Sequence, residues 1–122
     1  PSSESDSIIK FDFGAHKRVD LRSYLIRTCE DSPNGDHQKA WRIEGSNDGQ
    51  SWTKLDSRSN DESLNGSYNE CHFICKYGSN GSESSLFRYI RYVQEDSWNS
   101  NSSRKYMVDI AYFELYGNVV TL

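Results

Sequence analysis

This 122-residue sequence has no long apolar run, very little alanine and methionine, and no excess of basic charge. Nothing in it approaches the roughly 20 consecutive apolar residues of a membrane-spanning helix, so no membrane insertion is expected. Its 14 lysines and arginines are scattered among 18 aspartates and glutamates, and this acidic balance argues against nucleic acid as a partner. With one methionine and few alanines, the chain also lacks the composition of a helical protein.

Cysteine is scarce, and the spacing of the three that are present limits how they can pair. If Cys71 and Cys75 lie on one strand, they are ~13 Å apart at ~3.3 Å per residue, too far for a disulfide bond. At least one thiol must therefore be free or paired elsewhere, and a bridge from Cys29 to one of the other two stays open. So few cysteines are typical of a reducing compartment, which predicts a cytoplasmic location.

An extracellular location is the alternative. It draws on three Asn-x-Ser sequons, which arise easily by chance in a chain this rich in asparagine and serine: Asn65, Asn80 and Asn101.

Aromatic residues are plentiful, with eight tyrosines, five phenylalanines and three tryptophans, and they favour strands. The clearest pattern is Ala40 to Trp52, AWRIEGSNDGQSW, in which two alternating runs flank an Asp48-Gly49 pair. Such a pair indicates a β-hairpin, because glycine accepts the positive φ that a tight turn needs. Trp41 and Ile43 fall on one face of the first arm, which is typical of a half-buried strand.

Similar patterns predict further strands separated by polar loops, at 8–13, 19–28, 68–77, 86–94 and 107–116. In 19–28 the apolar phase changes partway along, which indicates either a bulge near Ser23 or apolar neighbours on both faces. One helical turn is expected around 61–64, within a polar crossover at 56–66. Together the strands predict an all-β fold, an antiparallel β-sandwich.

The predicted domain occupies residues 8–118, after a flexible lead-in at 1–7 and before a tail at 119–122.

Arg88 and Arg91 are interspersed along the 86–94 strand, and we expect them to pair across strands with acids such as Asp109 or Glu114. The predicted core consists of apolar residues that alternate with polar ones: Phe11, Phe13, Trp41, Ile43, Trp52 and Ile90.

Five stretches together resemble one known family: 10–14 (KFDFG), 23–26 (SYLI), 41–52 (WRIEGSNDGQSW), 87–92 (FRYIRY) and 110–117 (IAYFELYG). In this order they are similar to the discoidin domain, also called the coagulation factor V/VIII type C domain. The resemblance implies a galactose-binding-like jelly roll, and it is strongest to intracellular versions from protists. The family's first strands and its terminal cysteine pair have no counterpart here, and the polar loops do not match those of its lipid-binding members.

Metal and catalytic chemistry are not expected from the residues that could support them. Histidines and cysteines could offer zinc ligands, but no second Cys-x-x-Cys or histidine pair accompanies Cys71 and Cys75. Calcium could bind oxygens of Asp31, Asn34 and Asp36, although their order does not match an EF-hand loop. Serine, histidine and aspartate occur outside any triad or nucleophile-elbow context, so the sequence predicts no enzyme and no cofactor.

Binding is expected in the polar loops at one end of the sandwich, where such folds carry recognition. Trp98 is the lone aromatic residue of the 95–105 loop, and it either folds back as a lid or stands out as an anchor. The loop candidates are Trp98, Asn99, Asn101, Asn34 and Asp36.

The resulting hypothesis is a non-catalytic interaction module that recognises another protein or a glycan through these loops. Two alternatives stay open. One is a structural component of a large cytoskeletal or ciliary assembly, and the other is an extracellular lectin or adhesion domain.

Overall fold

Two antiparallel sheets make up the structure, a computed structural model that describes residues 7–29, 35–77 and 85–122. One sheet has four strands in the order β1-β6-β3-β4, and the other has three in the order β5-β2-β7. This arrangement confirms the predicted antiparallel β-sandwich. The strands are β1 (Ile8–Asp12), β2 (Lys17–Arg27), β3 (Gln38–Ser46), β4 (Thr53–Arg58), β5 (Glu70–Ile74), β6 (Tyr89–Ser97) and β7 (Tyr112–Thr121).

Helical structure is limited in the described ranges, where none of the helices is long and apolar enough to cross a membrane. Around 61–64 the chain forms a turn closed by a 3.1 Å bond from Asn65 N to Glu62 O rather than the expected helical turn. The 1–7 lead-in lies outside the described residues except for Ser7, which is buried.

The apolar core lies between the two sheets, and aromatic rings fill much of it. Trp41 of β3 and Tyr92 of β6 are fully buried and face Tyr24 of β2 and Phe73 of β5. The ring of Phe73 lies 5.1 Å from Trp41 in an edge contact and 5.2 Å from Tyr24 in a stacked one. Burial of one large apolar side chain stabilises a fold by about 1.5–3 kcal/mol, so these contacts hold the sheets together.

Most of the predicted core residues lie in or beside this core. Trp41, Ile43 and Ile90 are buried. Phe13 is partly buried and packs against the core, and Phe11 is half-buried with its ring 5.5 Å from that of Phe113.

Trp52 is the exception, and its assignment to the core is wrong. It precedes β4 in the same phase as Lys54, which pairs with Glu44 on the outer face of the four-stranded sheet. Strand alternation therefore turns the Trp52 ring outward, where the Arg91 guanidinium lies 3.9 Å from the ring centroid and the Tyr89 ring 6.5 Å away.

The predicted hairpin is present, with β3 paired to β4. Its connection, residues 47–52, is longer than a two-residue turn, and side chains hold it in place. The Asp48 carboxylate accepts 2.8 Å bonds from the backbone nitrogens of Gln50 and Ser51. Gly49 has a φ of +76°, a conformation that glycine adopts without the steric cost other residues incur.

A bulge at Arg22 explains the change of apolar phase in β2. Leu21 pairs with Gly117 while Ser23 pairs with Tyr116, so Arg22 is an extra residue in its strand. Its backbone oxygen still accepts a 3.0 Å bond from Cys75 N. The bulge is one of the two alternatives that the sequence pattern left open, and it lets residues on both sides of Arg22 face the core.

Several strand boundaries differ from the sequence prediction, because pairing with a neighbouring strand decides where a strand ends. β7 begins at Tyr112 rather than at residue 107 and continues to Thr121, so residues 119–121 pair with β2 and are not a tail. Gly117 lies within this strand, where an added Cβ would be 2.1 Å from the Asp20 oxygen. β6 begins at Tyr89 and takes residues 95–97 from the predicted loop.

A buried hydrogen-bonded group, the Asp56 junction, connects the two sheets through the core. Asp56 of β4 is fully buried, and its carboxylate accepts bonds from the Tyr24 hydroxyl and, at 3.0 Å, from Arg58 Nε. The Tyr24 oxygen in turn accepts a 2.8 Å bond from Trp41 Nε1. Burial, with Asp56 beside it, raises the pKa of Tyr24 far above its usual value, so the hydroxyl remains a donor.

Replacement of Tyr24 by phenylalanine tests the Asp56 junction. Tyr24→Phe removes the acceptor of Trp41 and one donor to Asp56, so we expect the free energy of unfolding to fall by about 1–3 kcal/mol. Urea denaturation followed by tryptophan fluorescence measures it. The control is Tyr77→Phe, since Tyr77 is 47% exposed, and it should change stability by less than about 0.5 kcal/mol. Equal effects of the two substitutions would contradict the junction.

Candidate binding site

Four of the five predicted loop residues meet at one end of the sandwich, where β2 and β6 end and β3 and β7 begin. We call this group, with its ionic partner, the end-loop cluster. The fifth candidate, Asn34, lies outside the described residues, as does Asp31. The end-loop cluster consists of Asp36, Trp98, Asn99, Asn101 and Arg104.

Asp36 is the centre of the end-loop cluster. Its carboxylate accepts bonds from Arg104 Nε at 2.8 Å and Nη2 at 2.5 Å, and from Asn99 Nδ2 at 3.0 Å. The Arg104 guanidinium, aided by Asn99, holds the pKa of Asp36 below its usual value. Because an arginine occupies this carboxylate, the geometry disfavours Asp36 as a calcium ligand.

The two asparagines extend the cluster toward solvent. Asn99 Oδ1 accepts a 2.8 Å bond from Asn101 N, and Asn101 Oδ1 accepts bonds from Ser103 N and Oγ at 3.1 and 2.8 Å. Asn101 is exposed and Asn99 is half-buried. Their side chains are therefore held in fixed positions, and Asn101 offers its amide nitrogen to an incoming ligand.

Trp98 has the geometry of a lid. Its backbone nitrogen donates to His37 O and its indole Nε1 to Asp61 O, each at 2.9 Å. The Lys39 ammonium lies 4.9 Å from the ring centroid, and the residue is half-buried. Since the indole N–H is already used within the chain, a ligand can reach only the remaining exposed part of the ring.

A second polar group, which the sequence did not reveal, lies beneath these loops. Asp109 accepts bonds from His37 Nδ1 at 2.7 Å and from Cys29 N at 3.0 Å, and both Asp109 and His37 are buried. Cysteine, histidine and aspartate can form a nucleophilic site, but here a hydrogen bond of the thiol itself to Asp109, together with burial, raises the pKa of Cys29 to about 11. A protonated thiol is a weak nucleophile, so the arrangement suits structure better than catalysis.

His37, Arg104 and Asp109 are the site residues that sequence reasoning missed. Asp36 and Arg104 are 68 positions apart, and His37 and Asp109 are 72 apart. No motif has that spacing. Only the pairing of β3 with β6 and the return of the chain to β7 bring them together, so a local pattern could not have identified them.

Other predicted pairings are different in the structure. Arg88 bonds Asp12 at 2.9 Å and Arg91 bonds Glu44 at 2.8 Å, so neither uses Asp109 or Glu114 as expected. In each case a residue on an adjacent strand is the nearer acid.

The cysteines form no bridge to one another. Cys29, Cys71 and Cys75 are free thiols, so the Cys29 bridge left open above does not form, and the last two pack against the core. Within the described ranges, no three histidine, cysteine or acidic side chains are placed to hold a metal ion.

Comparison with known proteins identifies a fold but no family. No protein-family model and no curated protein matches the chain, so the discoidin resemblance remains a prediction. Among solved structures, the chain is similar to a fragment of a protein assigned as a chitobiase from Bacteroides thetaiotaomicron, with 18% identity and a TM-score of 0.59. The match covers 90% of this chain and 59% of that one.

Two further structures give the same result. The carbohydrate-binding module CBM62 of Clostridium thermocellum Xyl5A is 20% identical with a TM-score of 0.58, over 92% of this chain and 68% of that one. The C-terminal domain of a chitobiase from Bacteroides fragilis is 21% identical with a TM-score of 0.58, over 93% and 64%. At these identities the likeness shows the shared β-sandwich fold and nothing finer.

The Asp36–Arg104 pair predicts a pH dependence of stability. Because the pKa of Asp36 is lower in the folded chain, the pair stabilises fully above the unfolded pKa of about 3.9 and loses its effect as pH falls through the folded value. Asp36→Asn should therefore lower the free energy of unfolding by about 1–2 kcal/mol at pH 7, and the difference from wild type should be smaller at pH 3, below the unfolded pKa of about 3.9. Urea denaturation at both pH values measures this.

Asp12→Asn is the matched control, because Asp12 also pairs with an arginine but on the exposed surface. It should change stability little at either pH. A loss in Asp36→Asn that is as large at pH 3 as at pH 7 would show that the ionic contact is not its cause.

Proposed function

We propose that this chain is a non-catalytic module of discoidin-like jelly-roll type that binds a glycan through the end-loop cluster. The observation that carries the proposal is that hydrogen bonds fix Asn99 and Asn101 in the loop that also holds the half-buried Trp98, at one end of the sandwich. Planar amides bond sugar hydroxyls, and a partly exposed indole offers an apolar surface to a sugar ring. Ligand sites with a few fixed polar groups of this kind need little reorganisation on binding.

Two further points support a binding role over catalysis. The one arrangement that resembles a nucleophilic site contains a protonated thiol, because the pKa of Cys29 is raised to about 11. The fold is shared with a carbohydrate-binding module and with the C-terminal domain of a chitobiase. Recognition of a protein partner, assembly into a cytoskeletal or ciliary structure, and the compartment remain predictions from the sequence.

A glycan array with the purified chain tests the proposal, followed by titration calorimetry on any retained glycan. We expect at least one glycan to be retained and Asn101→Ala to weaken it by about tenfold, since a lost hydrogen bond costs roughly 1–1.5 kcal/mol. Asn118→Ala is the control, because Asn118 is an exposed asparagine near the far end of β7. An array on which nothing is retained would remove the glycan proposal.

The substitution Trp98→Ala tests whether Trp98 acts as a structural lid or as an anchor for the ligand. The structure predicts a loss of stability of about 2 kcal/mol, from the lost ring packing and the lost bond to Asp61, with a smaller loss of glycan affinity than in Asn101→Ala. Thermal denaturation and calorimetry on the same samples provide both values. Unchanged stability combined with abolished binding would identify Trp98 as an anchor instead.

A further inference from the structure

The outer face of the three-stranded sheet carries a group of exposed aromatic and polar side chains that the end-loop cluster does not include. Tyr112 and Tyr116 of β7 are 42% and 40% exposed, and Ile74 of β5 is 71% exposed. The intervening β7 residues Phe113 and Leu115 pack against the core, so the two tyrosines and Glu114 point away from it. We call Tyr112, Glu114 and Tyr116 the tyrosine face.

Hydrogen bonds fix the side chains of the tyrosine face. The hydroxyls of Tyr112 and Tyr116 donate to the same oxygen, Glu114 Oε2, at 2.6 and 2.8 Å. These bonds hold the pKa of Glu114 below its usual value, so its carboxylate is ionised. The two rings thus flank a charged acceptor, with Cα atoms ~13 Å apart at ~3.3 Å per residue.

Neighbouring strands buttress the two rings. The Arg27 guanidinium of β2 lies 5.3 Å from the Tyr112 ring centroid, and the His72 ring of β5 packs edge-on against Tyr116 at 5.3 Å. His72 Nε2 is also bonded to Ser23 Oγ at 2.8 Å. A surface whose rotamers are already fixed loses little side-chain entropy when a ligand binds.

The hydrogen-bond acceptors that remain unused on the tyrosine face match a ligand rich in hydroxyl groups. Within the described chain, both tyrosine hydrogens go to Glu114 Oε2, which leaves Oε1 and the two phenol oxygens to accept hydrogen bonds. The rings offer apolar surface for C–H groups. The charged groups beside the two tyrosines are the carboxylates of Glu114 and Glu70 and the guanidinium of Arg27, whose Nη1 is 3.8 Å from Glu70 Oε1. Because their net charge is negative, this face would repel an anionic ligand.

We infer that the tyrosine face is a second binding site, for a neutral oligosaccharide. Tyr112 and Tyr116 contact two sugar rings of one chain, and Glu114 accepts hydrogen bonds from hydroxyls between them. For its class of ligand, this inference rests on the proposed function. It places that ligand on a different surface, and binding at the end-loop cluster would not require binding at the tyrosine face.

Calorimetry with four neutral hexasaccharides tests this inference: cellohexaose, xylohexaose, mannohexaose and chitohexaose. We expect one of them to bind, Tyr116→Ala and Glu114→Ala each to weaken it by about tenfold or more, and hexagalacturonate not to bind. Tyr77→Ala is the matched control, because Tyr77 is an exposed tyrosine outside this face. Both tyrosine-face substitutions lie on the surface, and thermal denaturation checks that each variant is folded.

Chemical-shift mapping by NMR on the wild-type chain locates the same hexasaccharide without any substitution. Shifts at residues 112–116 and 70–74 support the inference. Shifts confined to 36 and 98–104, with Tyr116→Ala binding normally, overturn it while leaving the proposed function intact. If no neutral glycan binds in calorimetry or on the array, both fail, and equal binding of hexagalacturonate overturns the neutral ligand class.

Discussion

Asp56 is fully buried, yet its carboxylate receives the Tyr24 hydroxyl from the opposite sheet and the Arg58 guanidinium from its own. Removing a carboxylate from water is costly unless it is paired and fully hydrogen-bonded. Here the partners come from both sheets, so the hydrogen bonding of the buried carboxyl group is complete only when the two sheets are docked. Apolar packing between sheets is non-directional. The hydrogen bonds of the Asp56 junction are directional, so they favour a particular orientation of one sheet relative to the other.

The surfaces that can meet a ligand differ in how they are held. At the sandwich end, polar contacts join the loops: an ion pair of Asp36 with Arg104 and a hydrogen bond between His37 and Asp109. On the three-stranded sheet, Tyr112 and Tyr116 need no loop, because the strand itself spaces them. Both the end-loop cluster and the tyrosine face depend on the packed sandwich, because core packing sets the positions of the strands that carry them.

Local patterns in the sequence predicted the parts of the fold that local physics controls. The burial of Trp41 and Ile43, the Asp48-Gly49 hairpin and the interruption near Ser23 all follow from alternation and turn chemistry over a few residues. Trp52 was misplaced because the phase of a strand cannot be carried through a six-residue connection. The start of β7 was misplaced because its partner β2, distant in sequence, sets its ends.

The candidate site was predictable only in part, for the same reason. Sequence patterns identify Trp98 and Asn99 as polar-loop residues, and Asn99 does bond Asp36. Arg104, which holds Asp36, and Asp109, which holds His37, were not identified, because their partners are brought to them by the crossing of strands. The tyrosine face was missed although Tyr112, Glu114 and Tyr116 alternate on β7, since alternation does not reveal which face of a strand remains uncovered.

The bulge at Arg22 has a consequence for how the chain tolerates change in length. If Arg22 is skipped, Val19, Leu21, Tyr24 and Ile26 follow one unbroken inward alternation. The extra residue therefore leaves the inward and outward alternation of the strand unchanged on both sides of the bulge. The side chain of Arg22 is bonded to Asp20 and its backbone oxygen to Cys75 N. Insertions elsewhere in β2 would exchange the inner and outer faces, so Arg22 marks the point where this strand accommodates an odd residue.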